Sequence, residues 1–435
     1  MEPDLYIQRY GYPKRFIKAV PHLRLGISVV IPCYNEPHLN ASLDALRNAM
    51  PPLAAVEVIV VINEPEGASE EIHQRNLRTL LDAEAWKRDW DRPDWMVHLI
   101  YVPNLPPKHA GVGLARKIGM DEAYARFYGL SRLETGIIVC FDADSQCDDD
   151  YLTAIEHHFQ RYATTPACSI HYEHPLKGPD DPALYSGIVG YELHLRYYVD
   201  ALRWAGYPYA YQTIGSSMAV RARDYGRVQG MNRRKAGEDF YFLHKLIPLG
   251  EFTELTTTRV IPSPRLSDRV PFGTGKAMHD WLASSQQDYP TYHPGTFEAL
   301  RPFLTLLLDE HTTRKTWNQA WVTLDPTLRQ WLDAEGFLTA WEEAKEQSRQ
   351  HSTYITRVLR WLDGLRMLKY VHFARDQTYG AVSVAKAATW LLEKWGVSAQ
   401  NLSLREQLSL MRHRDRQTWR HPQYPHSQPH GGTQH

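Results

Sequence analysis

The sequence predicts an α/β fold: a mostly parallel sheet flanked by helices, followed by a C-terminal α-helical region. Three observations lead there. Between Gly26 and Phe141, short and nearly continuous apolar runs alternate with segments of helical period, and strands with no polar face belong to parallel sheets covered on both sides. Polar and acidic residues follow directly on those runs, at the carboxyl edge where such sheets bind ligands. From about Pro294 to Arg412 the pattern is helical.

In chain order, Gly26–Ile31 is the first strand, ended by Pro32. Pro37–Met50 reads as a helix, with Leu39, Leu43 and Leu46 at helical spacing. Val56–Ile62 is the second strand, Ser69–Ala83 the second helix, Met96–Val102 the third strand, Gly113–Tyr128 the third helix and Gly136–Phe141 the fourth strand. Asp181–Tyr211 is heavy in Tyr and Trp, which suits a stacking surface or a packed core equally. Gly237–Leu249 reads as a helix start, and Asp325-Pro326 as an N-cap followed by proline at the first helical position. Ile355–Val371 carries a broad apolar stripe opposite Arg357, Arg360, Arg366 and Lys369. The expected organisation is an N-terminal extension (1–25), an α/β domain (26–275), a helical region (276–412) and a tail (413–435) whose His, Pro, Gln and Gly content predicts disorder.

Composition narrows the function classes. The chain has 435 residues, 43% of them hydrophobic and 23% charged, so it is globular and long enough for more than one domain. Lys plus Arg is 49 against 50 for Asp plus Glu, a net charge of −1. That balance argues against binding nucleic acid through bulk charge, yet leaves room for a local basic pocket. No apolar run reaches the roughly 18–20 residues of a membrane span. The basic stripe of Ile355–Val371 leaves peripheral contact with an anionic membrane surface as an alternative to a solvated helix face. MEPDLYIQRY has neither the basic nor the apolar region of a secretory signal, and four scattered Cys make no disulfide framework. The expected location is therefore cytoplasmic.

Several constellations carry candidate chemistry. Asp142-Ala143-Asp144 follows the fourth strand; two carboxylates there can share a divalent cation, Mn²⁺ or Mg²⁺, through hard oxygen ligands, or simply be strand-end acids. Glu238-Asp239 is a second acidic pair, either helix N-terminal acids favoured by the dipole or a carboxylate general base. Gly111–Arg116 lacks the third glycine of a dinucleotide fingerprint. As a helix N-terminus with Lys108 and Arg116, it suits either phosphate binding or a solvated basic face. Gly215-Ser216-Ser217 precedes a strand-like run and allows close approach of a substrate, or is a plain turn. Pro264–Arg269 with Gly273–Lys276 is a flexible basic loop able to fold over a diphosphate.

Taken in order, these pieces resemble glycosyltransferase family 2. Ser28–Glu36 (SVVIPCYNE) resembles its opening strand and loop, Gly111–Met120 (GVGLARKIGM) its nucleotide-side helix and Cys140–Asp144 (CFDAD) its metal-binding strand end. Gly215–Ala219 (GSSMA) is similar to its acceptor-side turn, and Gly237-Glu238-Asp239 to its catalytic-base motif. The resemblance implies the Rossmann-like glycosyltransferase-A fold, a nucleotide-sugar donor, a divalent cation, inversion at the anomeric carbon, and a carbohydrate or lipid-linked acceptor. It implies that Pro32, Tyr34, Glu36, Asn63, Arg116 and Asp142 bind the nucleotide sugar. Asp144 with Asp142 would hold the metal, Asp239 would be the base with Glu238 beside it, and Gly215, Ser216 and Ser217 would lie on the acceptor side. Two positions depart from the family: Asn63 stands where an acidic residue usually reads the base, and Lys117 where Asn usually follows Ala-Arg. A non-catalytic binding or scaffold protein on the same fold is a second reading. A nucleotidyltransferase is a third, although it calls for a Gly-rich loop after strand one, where this chain has Pro-Cys-Tyr-Asn-Glu.

Overall fold

The computed structural model describes residues 4–90, 92–179, 181–266, 273–283 and 288–417. Eight strands form the main sheet: β1 Leu25–Cys33, β2 Ala55–Pro65, β3 Trp95–Leu105, β4 Ile137–Cys140, β5 Gln146–Cys147, β6 Ala167–Tyr172, β7 Met218–Arg221 and β8 Thr253–Ile261, in the order β3-β2-β1-β4-β7-β6-β8-β5. Four of the pairings are parallel (β3/β2, β2/β1, β1/β4 and β6/β8) and three are antiparallel (β4/β7, β7/β6 and β8/β5). The α/β class read from the apolar runs therefore holds.

The register sets the functional edge. Cys33 lies opposite Ile62, and Val30 opposite Cys140. Cys140 faces Met218, the first residue of the antiparallel β7, and Met218 faces Ser169. The chain leaving β1, β2, β4 and β6 and the chain entering β7 thus share one edge.

The helices between strands are α1 Leu5–Arg9, α2 Leu39–Asn48, α3 Glu70–Arg88, α4 Val112–Gly129, α5 Tyr151–Arg161, α6 Pro182–Ala205, α7 Ala222–Arg227 and α8 Glu238–Leu246. Alternate residues of a strand face opposite sides. Ile27, Val29 and Ile31 of β1 and Val58, Val60 and Ile62 of β2 pack with Leu39, Leu43 and Leu46 of α2 and with Leu152, Ile155 and Phe159 of α5. Each such leucine contributes about 1.5–3 kcal/mol by leaving water. Helix α3 begins where the sequence placed it: Ser69 accepts from the Ile72 N–H, Glu70 and Glu71 occupy the first turn, and Lys87 and Arg88 the last.

Helix α4 crosses β1 and β2 and is buried nearly all round, so its charged residues are paired internally. Lys117 lies 3.0 Å from Asp121, and Arg126 forms a two-pronged pair with Glu57 of β2. The N-terminal segment docks on the same helix. The Tyr6 hydroxyl donates to Asp121 (2.5 Å), the Tyr12 N–H to Asp121 (2.6 Å) and the Phe16 N–H to Glu122 (2.9 Å).

The fold divides into two compact units, Met1–Ile188 with Thr213–Ser285 and Val189–Gln212 with Gln286–His435. The divisions fall at 188/189, inside α6, at 212/213 and at 285/286. In the second unit, Asp325 caps Pro326–Ala334 as expected, accepting from the N–H groups of Thr327 (2.9 Å) and Leu328 (3.0 Å). The single stripe read over Ile355–Val371 is two helices, His351–Trp361 and Gly364–Ala374. Asp363 starts the second by accepting from the Arg366 N–H, and that local cap overrides the continuous apolar pattern. Tyr197 and Tyr207 of the aromatic segment are buried, so they serve as core rather than as a surface. The last helix, Leu404–Arg416, runs past His413, where the tail was expected to begin. There Asp415 pairs with Arg196, and Arg412 with Glu192. Residues 418–435, and Ser267, Asp268 and Arg269 of the expected basic loop, lie outside the described residues. Among the described residues, no helix is long and apolar enough to cross a membrane.

Candidate active site

The edge gathers two groups of charged residues, joined by the Asp142-Ala143-Asp144 turn. The first is centred on Arg116, from the second turn of α4. The residue is 2% exposed, and its guanidinium pairs through Nη1 with Glu238 and through Nη2 with Asp142. Burial alone would lower the Arg116 pKa, but the two carboxylates outweigh it and hold the group charged. Gly215 makes room for this arrangement: a Cβ there would lie 2.5 Å and 2.7 Å from the guanidinium nitrogens.

Glu238 and Asp239 open α8. Gly237 precedes them with φ of +66°, a left-handed conformation that glycine adopts without penalty and that turns the chain into the helix. Glu238 is 3% exposed. Burial pushes its carboxyl up to about 7; Arg116 opposes the shift, and Asp239 and Asp142 add to it. Asp239 is half-buried, and one oxygen accepts from the Phe240 N–H (2.7 Å). Its pKa is also raised, first by burial, with Arg116 and the Phe240 N–H pulling down and Asp142 adding to the rise. Among the described residues no cation lies within ion-pair distance of Asp239.

The second group is centred on Arg265, past the end of β8. It pairs through both terminal nitrogens with Glu36, which is wholly buried after β1, and its Nε lies 2.8 Å from Asp144. The side chains of Asp142 and Asp144 are 36% and 26% exposed, so both carboxylates retain a face toward solvent.

The remaining expected residues fall around these groups. Pro32 is next to last in β1, and Tyr34 follows it, both half-buried. Asn63 is buried in β2 opposite Val102 and adds no side-chain hydrogen bond to either group. Its neighbour Glu64 is the bonded one: it accepts from Asn76 (3.0 Å) and lies 2.9 Å from a ring nitrogen of His73. Burial would raise its pKa, but bonds from Asn76, His73 and Tyr101 bring it below the usual carboxylate range. Ser216 and Ser217 are each 1% exposed in the turn before β7. There the Ser217 carbonyl accepts from the Ile170 N–H (2.8 Å).

The sequence reading missed the contacts of two residues. Arg265 counted only as part of a flexible basic loop, and its partner Glu36 lies 229 positions away. Glu64, next to the expected Asn63, carries the side-chain hydrogen bonds there. Arg116 is buried rather than on a solvated face, and both its terminal nitrogens are engaged by carboxylates.

The architecture is thus an α/β sheet with a carboxyl edge lined by acids and arginines. No family model matches the chain, and no curated protein matches it. Among solved structures it is similar to S. aureus TarS 1–349 in complex with UDP-GlcNAc, at 14% identity over 86% of this chain and 93% of that one, with a TM-score of 0.39. It is similar to the same protein in complex with UDP, at 12% identity over 86% and 92%, TM-score 0.38. A third is GalNAc-T7 with UDP, GalNAc and Mn²⁺, at 15% identity over 68% of this chain and 54% of that one, TM-score 0.35.

Proposed function

We propose that the chain is an inverting glycosyltransferase of the glycosyltransferase-A class, moving a sugar from a nucleotide-sugar donor to an acceptor hydroxyl. The observation that carries this reading is the meeting, at one sheet edge, of the Asp142/Asp144 pair with the Glu238-Asp239 pair, 94 or more positions apart in the chain. The resemblance to family 2 rests on five matches in chain order, and these two acidic pairs are among them.

The donor set suits a hard divalent cation. Two partly exposed carboxylates project from one strand end, and among the described residues no third acid, His or Cys completes a cluster with them. That is the arrangement in which substrate phosphate and water supply the rest of an octahedral shell. Asp142 and Asp144 would hold the ion, which when bound supplies Lewis-acid neutralisation of the leaving diphosphate.

The protein's own part is proton transfer and positioning. As the anomeric bond breaks, Asp239 takes the proton of the incoming hydroxyl on the opposite ring face, as inversion requires. Its partial exposure lets an acceptor reach it, and its raised pKa makes it a stronger base than an ordinary aspartate. Arg265, beside Asp144, adds positive charge on the diphosphate side. On the resemblance, Pro32, Tyr34 and Glu36 would belong to the nucleotide side and the turn at Gly215–Ser217 to the acceptor side. The swap at Asn63 replaces the family's acidic residue by an amide that can both donate and accept.

The test is a panel of nucleoside diphosphates and nucleotide sugars, with and without Mn²⁺, read by thermal shift and by donor turnover. Ligand at a hundred times its dissociation constant stabilises by about 2.7 kcal/mol. Stabilisation by no nucleotide under any condition sinks the reading; stabilisation without turnover favours the binding protein.

A further inference from the structure

We propose that Arg116 is a positioning residue, tying Asp142 to Glu238 and so coupling the diphosphate side of the site to the base side, and that it is not a ligand of the donor's phosphates. This rests on the functional reading above and deepens it.

Both terminal nitrogens of Arg116 are committed, one to each acidic pair, and the guanidinium is shut away from solvent. A phosphate ligand needs an open face, and this side chain has none. Its charge is needed where it is. Asp142 and Glu238 share one cation, and without that cation two carboxylates are left close together at a buried side chain's place. The planar fork suits the task, since it reaches two carboxylates at fixed directions. Gly215 closes the cradle, because any side chain there displaces the guanidinium. The consequence is mechanical. Glu238 heads α8 and precedes Asp239 directly, so the orientation of the base is set by a side chain anchored on α4. Asp142 is held by the same group and cannot shift independently of it.

The experiment compares wild type with R116Q, R116K and G215A. Calorimetry gives the affinity for nucleoside diphosphate with Mn²⁺, and turnover is measured at saturating donor. The expected result for R116Q is an affinity within about threefold of wild type and a turnover lower by roughly a hundredfold, the scale on which misplaced catalytic groups act. R116K recovers part of the turnover. G215A keeps the arginine but displaces it, and loses turnover without losing nucleotide affinity. The proposal is overturned if R116Q weakens nucleotide binding tenfold or more while turnover at saturation holds, a tenfold change being a full decade in the binding constant. Wild-type turnover in G215A overturns it as well. Should R116Q not fold, R116K and G215A decide alone. Should wild type bind no nucleotide, the functional reading fails separately. Melting of R116Q against R116Q/E238Q then tests the tie: removing the stranded carboxylate recovers stability if Arg116 holds it, and recovers none otherwise.

Discussion

At the scale of single residues, the base and its neighbour make the sharpest claims. Asp239→Asn keeps the shape but cannot accept a proton, so turnover should fall by roughly 10²–10⁴-fold with nucleotide affinity unchanged. Steady-state kinetics at saturating donor checks this, and retention of a tenth of wild-type turnover would dismiss Asp239 as the base. Glu238 has its carboxyl raised to about 7 in the fold. A raised acid stabilises the folded state fully below its unfolded pKa and loses that contribution as pH rises through the folded value. Melting temperature should therefore decline between the ordinary carboxylate range and about pH 7, the folded value of Glu238, and Glu238→Gln should flatten the decline. Glu57 shows the opposite case. Burial would raise its pKa, but Arg126 and His98 outweigh that and leave it lowered. Glu57→Gln should cost about 3–5 kcal/mol in chemical denaturation, because it strands the buried Arg126.

At the scale of elements, the chain leaving β8 governs access to Asp144. Arg265 already neutralises Asp144 and Glu36, so a divalent cation must compete with a guanidinium for that carboxylate. Arg265→Ala should raise the affinity for Mn²⁺ alone, measured by electron paramagnetic resonance without nucleotide, and lower the affinity for nucleoside diphosphate. An unchanged Mn²⁺ affinity would place the ion away from Asp144. The start of α8 is a second such element. Gly237→Ala forces a side chain into a left-handed conformation, which costs about 1–2 kcal/mol. Because Glu238 and Asp239 follow immediately, turnover should fall by more than the stability loss alone accounts for.

At the scale of the whole molecule, the C-terminal end separates into two parts that truncation should distinguish. Residues 418–435 contain little that can be buried, being rich in His, Pro, Gln and Gly. A chain ending at Gln417 should melt as the full chain does. Ending at Arg412 removes Asp415, which pairs with the buried Arg196, and the last turn of its helix. That form should melt several degrees lower, the shift expected for roughly 1–3 kcal/mol in a protein of this size. Equal melting of the two truncations would show that the Arg196 pair adds nothing.

The sequence alone determined the local features. Apolar runs marked β1, β2 and β4, because a strand buried on both faces needs no partner information to be recognised, and a similar run marked β3 at the sheet edge. Asp325 marked a helix start, because a cap acts on N–H groups two or three residues away. Asp142, Asp144, Glu238 and Asp239 stood out as acids placed just past strands or at a helix start. Tertiary structure decided what those acids face. Arg116 meets Glu238 across 122 positions and Arg265 meets Glu36 across 229. Those meetings depend on the antiparallel β7 beside β4 and on β8 returning parallel to β6, and no local pattern encodes that strand order. The commitment of Arg116 to two carboxylates was decided the same way. A side chain's partners follow from which elements pack together, while its propensity and period belong to the chain itself.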